Sequence, residues 1–146
     1  MRRFVLVLLL CVCLLGLAAC GSSGLTKAQY DAKVSHLCLI ASDQVRELHM
    51  DNSVAAWRHD GASLIHIGKH FDSTLATWKA PAEVAAQAAG FLTANEKELA
   101  TVKVAVAAAR ADYGGLLRAA IKQVNKANLA TARWAKTIGA TGCYIG

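Results

Sequence analysis

From Val84 to Tyr113 one chain of positions recurs by threes and fours: Val84, Ala88, Phe91, Asn95, Leu99, Val102, Val106, Ala109 and Tyr113. Only an α-helix, with 3.6 residues per turn, brings such positions onto one side. A seam sustained this long is the a/d stripe of a helical bundle. Pro81 is the only proline and stands just before the seam. That suits a helix boundary, because proline is tolerated in a first turn and not in a helix interior. Asn95 interrupts the seam, as a polar residue that sets register through a hydrogen bond or contacts a ligand.

Three further segments share this periodicity. Thr26-Lys27-Ala28-Gln29 fits a capping box, and Tyr30, Val34, Leu37, Cys38, Ala41, Val45 and Leu48 follow on one stripe. Asp51-Asn52-Ser53 breaks that helix and caps the next. The second stripe is Trp57, Leu64, Phe71, Leu75 and Trp78. Gly61 and Gly68 lie between its members, where each costs about 1 kcal/mol against Ala. Close approach of a neighbouring helix is the reason that suits both. Gly114-Gly115 separates the third helix from a fourth carrying Leu117, Ile121, Val124, Asn128, Ala135 and Ile138, with Leu116, Ala120 and Ala127 widening the stripe and Gly139 as C-cap. Alternating strand patterns are missing. The chain therefore predicts an all-α fold, an antiparallel up-down four-helix bundle over residues 26–146.

The first 25 residues carry a different message. Arg2 and Arg3 precede the apolar run Phe4–Leu17, which is short of the ~20 residues a permanent membrane span needs. Leu17-Ala18-Ala19-Cys20 then reads as a lipoprotein processing box. On this reading residues 1–19 are a signal peptide, and Cys20 is lipidated with diacylglycerol and palmitate. Residues 20–25, with Gly21-Ser22-Ser23-Gly24, form a flexible tether. The predicted location is the extracytoplasmic face of the cell membrane, with the membrane itself as first partner. Losing Arg2 and Arg3 lowers the formal charge from +6 to +4. The domain is then only mildly basic, and outside the membrane a nucleic-acid partner is not expected.

Cys11 and Cys13 would leave with the signal, and Cys20 would be acylated. Cys38 and Cys143 remain, an even pair in an oxidising compartment, and are predicted to bond. No CxxC and no His at ligand spacing accompanies them, which argues against a metal pair. The bond conflicts with a simple up-down bundle. The end of helix four should lie beside the start of helix one, yet Cys38 is about 18 Å along that helix at 1.5 Å per residue. Either helix one overhangs the bundle or the tail folds back along it.

These motifs together resemble the small helical lipoproteins of high-GC Gram-positive bacteria. The shared layout is the lipobox, the Gly/Ser tether and the opening Leu25-Thr26-Lys27-Ala28-Gln29-Tyr30, with Cys38 eight residues beyond Tyr30. Pro81 between helices two and three and Gly139-Ala140-Thr141-Gly142-Cys143 complete it. Tyr144-Ile145-Gly146 departs from the Gly-like segment usual after that cysteine. The resemblance implies an envelope lipoprotein and carries over no active site.

Signals for chemistry are sparse. GxSxG, SxxK, HExxH, CxxCH and a phosphate-binding glycine loop are all missing, so the expectation is a non-enzymatic binding or structural module without a cofactor. Its ligand would be a small molecule or an envelope protein. Glu96 and Glu98 read as adjacent acids on an exposed turn. His59, His66 and His70 fall opposite the apolar stripe of helix two, and His66 and His70 have the i, i+4 spacing of a metal clamp. The alternative is therefore an extracytoplasmic protein binding zinc or copper weakly at its surface. Finally, Arg118, Lys122, Lys126, Arg133 and Lys136 occupy about 80° of helix four at 3.6 residues per turn. They form a basic stripe that would face an anionic membrane.

Overall fold

The computed structural model describes residues 24–143. The leader, Cys20 and Tyr144–Gly146 lie outside the described residues, and with them the predicted lipidation site. Four α-helices run in sequence among the described residues: α1 Lys27–Glu47, α2 Val54–Ala76, α3 Ala85–Arg110 and α4 Gly114–Ile138. Short 3-10 turns, Ala82–Val84 and Thr141–Cys143, precede α3 and follow α4. The all-α bundle is as predicted.

Local chemistry sets most boundaries. Thr26 Oγ1 accepts from the Gln29 N–H at 3.3 Å, and Gln29 Oε1 accepts from the Thr26 N–H at 2.9 Å. The capping box is complete and satisfies two orphan donors. Ser53 caps α2 by accepting from the Ala56 N–H. Gly139 ends α4 with φ 82°, a left-handed conformation that side chains resist. The α3–α4 break differs from expectation. Both Gly114 and Gly115 lie in the first turn of α4, and the reversal is made by Asp112 at φ 62°. Asp tolerates this region better than most residues. Arg58 of α2 secures the corner, donating to the Ala109 carbonyl at 3.1 Å and to Asp112 Oδ1 at 3.0 Å.

α3 and α4 form the most extensive pairing, followed by α2 with α3. Small side chains allow it: Ala94, Ala105 and Ala108 on α3 and Ala120 and Ala135 on α4 are all buried. Gly61 and Gly68 serve the close approach read from sequence, because a Cβ at either would meet Val106 or Leu99 of α3. α1 is attached differently. It buries Tyr30, Val34, Leu37 and Cys38, and none beyond Cys38. Its expected stripe fades after Ala41, and Leu39 and Ile40 are exposed.

The tail resolves the conflict over Cys38. Lys27 Nζ donates to the Ile138 carbonyl at 3.4 Å, so α4 ends beside the first turn of α1. The chain then folds back along α1. A Cβ on Gly139 would meet the Asp31 carboxylate, and one on Gly142 would collide with the Ser35 carbonyl. Cys143 thereby reaches Cys38, with a Cα–Cα separation of 4.9 Å, and the predicted disulfide is present.

The core is divided. One cluster joins Tyr30, Val34, Phe71, Leu75, Phe91 and Ile138 around the disulfide. The other joins Trp57, Val102, Val106, Leu117 and Ile121 at the opposite end. Between them α3 places Asn95 and Glu98, and α4 places Asn128, which donates to Glu98 Oε1 at 3.1 Å. Glu98 is therefore a half-buried cross-helix acceptor, which corrects its reading as an exposed turn residue. Asn95 donates to the Phe91 carbonyl of its own helix at 2.9 Å. It has a partner but links no second helix.

Candidate functional site

Two neighbouring surfaces of α3 and α4 stand out. The first is the basic stripe. Arg118, Lys122, Lys126, Arg133 and Lys136 are all exposed, and none forms an ion pair among the described residues. Leu129, 61% exposed, lies among them. Their helical positions explain the exposure: Leu117, Ile121 and Ala135 turn the opposite side of α4 into the core.

The second surface is a long groove on the outer side of the α3–α4 seam. One half, about 530 Å³, is lined by Gly90, Ala94, Lys97, Lys126, Ala130 and Trp134 among others. The other half, about 520 Å³, is lined by Val104, Ala107, Tyr113, Leu116 and Ala119. Gln123 lines both, and they follow one another along the same seam. The floor is shallow because alanine and glycine build it, and the indole of Trp134 lies over Gly90. Sequence reasoning missed this feature by assigning Tyr113 and Leu116 to inward stripes. Both are about 60% exposed. Tyr113 lies outside the helices because Asp112 has already turned the chain. Leu116 falls on the side of α4 that faces the groove.

The histidines are where the helical wheel puts them, on the solvent face of α2. His59 Nδ1 lies 2.8 Å from Asp60 Oδ1. No group of three His, Cys, Asp or Glu side chains among the described residues converges to hold a metal ion. His66 and His70 remain a two-imidazole pair, without His59.

A smaller cavity of about 150 Å³ opens at the waist between the two clusters, lined by Ala41, Leu64, Asp72, Asn95, Glu98 and Leu99 among others. Burial, then the nearby Glu96 and Glu98, push the Asp72 carboxyl up to about 6, while Lys103 opposes them. Nothing in the local sequence pattern singles out Asp72. Its coupling to Glu98 depends on the α2–α3 packing, which no local pattern announces.

No helix among the described residues is long and apolar enough to cross a membrane. No protein-family model matches the chain, and no curated protein or solved structure matches it.

Proposed function

We propose that this protein is a cell-envelope lipoprotein, anchored through Cys20 on the extracytoplasmic face, whose bundle is a non-enzymatic binding module lying with α4 against the membrane. The observation that carries this reading is the row of five exposed, unpaired cations on α4. The leader and its Leu17-Ala18-Ala19-Cys20 box supply the anchor. Position supports orientation. The described chain starts at Gly24 beside the Thr77–Pro81 turn, at the end of the bundle where α4 finishes near Lys27. Arg133 and Lys136 are therefore the cations of the stripe nearest the tether. Residues 20–25 span at most about 20 Å when extended. Attraction to anionic lipid is screened over ~8 Å at physiological salt. Within that distance each cation contributes ~1 kcal/mol, so a protein already held close gains most.

The test combines both parts. Cys20→Ser is expected to leave the chain unprocessed, with its leader attached, or to release it from membrane fractions in cells. The purified Cys20→Ser chain should bind anionic vesicles weakly, and lose them with rising salt. Adding Arg133→Glu and Lys136→Glu should weaken that binding at least about tenfold. Cys20→Ser protein that still partitions into detergent at the mass of the native mature chain refutes the anchor. Equal binding to neutral and anionic vesicles refutes the docking face.

A further inference from the structure

The α3–α4 groove lies beside the basic stripe and shares only Lys126 with it, and the membrane contact tested through Arg133 and Lys136 does not use its floor. It runs from Gly90 to Ala111 along α3, about 32 Å at 1.5 Å per residue. It is straight, because two antiparallel helices form its walls. It is shallow, because its floor is alanine and glycine. Aromatic side chains mark its two ends, Trp134 at one and Tyr113 at the other. Lys97 and Lys126 stand near its middle, and no acidic side chain lines either half.

We infer that this groove receives an amphipathic helix of a partner protein, one with a narrow apolar face and carboxylates near its midpoint. Shape selects a helix. A bilayer surface cannot follow a concave channel between two helices, whereas a third helix packs along such a seam on an i, i+3, i+4, i+7 face. A small molecule would remain largely exposed, although ligand sites normally bury most of their ligand. The aromatic ends supply the kind of anchor that concentrates binding energy at protein interfaces.

Charge selects the sign. Two lysines at mid-groove, with no acid to balance them, complement carboxylates on the incoming helix. The same lysines argue against a second copy of this chain. A two-fold axis through the middle of the groove would bring Lys97 and Lys126 of one copy close to those of the other. The chain's own leader is a poor occupant too, because Phe4–Leu17 has no acidic residue.

The probe is a synthetic helix-forming peptide of about 21 residues, matched to the groove at 1.5 Å per residue. It carries an Ala/Leu stripe with glutamates at its centre, and a twin carries lysines instead. Both are titrated by calorimetry into the full chain in phosphatidylcholine nanodiscs, where no anionic lipid competes. The acidic peptide should bind and the basic one should not. Lys97→Glu with Lys126→Glu should weaken the acidic peptide at least about tenfold and create binding for the basic one. Ala130→Trp, which fills an exposed part of the floor without altering charge, should abolish both interactions while circular dichroism stays unchanged. Several results would overturn the inference: no binding of the acidic peptide up to about 1 mM, binding indifferent to the charge exchange, binding unaffected by Ala130→Trp, or sedimentation showing that the chain pairs with itself through this face. Membrane docking by Arg133 and Lys136 stands or falls separately, because the nanodisc lipid is neutral.

Discussion

α1 and the α3–α4 pair are both helical, yet they are held by different means. The α3–α4 seam is continuous: Ala94, Ala105, Ala108, Ala120 and Ala135 are buried along it, and no covalent bond assists them. Small side chains let the helices approach closely, and many weak contacts accumulate over that length. α1 buries four residues between Tyr30 and Cys38 and little beyond Ala41. Its attachment is concentrated at one end, where the Thr141–Cys143 turn lies along it and the disulfide closes. Distributed packing gives one cooperative unit. Concentrated attachment gives an element whose stability depends on a single bond.

The largest expected effect follows from that bond. Cys38→Ser with Cys143→Ser should cost about 4–5 kcal/mol by the loop-entropy argument for a loop near 100 residues. The loss should be uneven. Hydrogen exchange should accelerate throughout α1 first, while α3 and α4 keep their protection. Uniform acceleration across all four helices would show that α1 belongs to the same cooperative unit as the seam.

A smaller effect comes from the other side of the comparison. Ala105→Leu inserts bulk where the exposure is zero. Overpacking should cost about 1–3 kcal/mol, and here exchange should rise across α2, α3 and α4 together. A melting temperature equal to that of the native chain would mean that the seam yields more readily than its burial implies.

The smallest effect concerns the waist, where neither mode of attachment operates. Asp72 has a folded pKa raised to about 6, against an unfolded value near 3.8. The folded chain therefore binds more protons between about pH 4 and pH 6. Stability attributable to Asp72 is highest below that window and falls as pH rises through it. Asp72→Asn should raise stability at pH 7 by roughly 1 kcal/mol, after allowance for solvent screening, and flatten the profile across the same window. Urea melts at pH 4, 6 and 7.5 read both quantities, and identical slopes for the two chains would remove Asp72 as the cause.

The same contrast explains what could be read from the residues. The capping box at Thr26, the cap at Ser53 and the left-handed Gly139 are local, and each formed as read. The Cys38–Cys143 pair followed from counting thiols. The groove was not legible, because Tyr113 and Leu116 fit an apolar period as well as inward residues do. Only the turn at Asp112 and the facing of α4 against α3 expose them. The Glu98–Asn128 contact joins residues 30 apart, and its existence depends on the register between two helices. Patterns along one helix are visible in the chain, whereas the register between helices is a property of the packed molecule.

The disulfide also governs how the domain bears mechanical load. If the chain is held at Cys20 and the opposing force is applied beyond Cys143, a pull enters at the N-terminal end of α1. Peeling can proceed only to Cys38, because the next link is covalent and leads straight to Cys143, 105 positions away in sequence. The intervening polypeptide is then a closed ring joined to the load path at one point, so tension passes it by. α2, α3 and α4 stay slack while the first few turns of α1 act as the fuse, and the slack released before the load stops is fixed by where Cys38 stands.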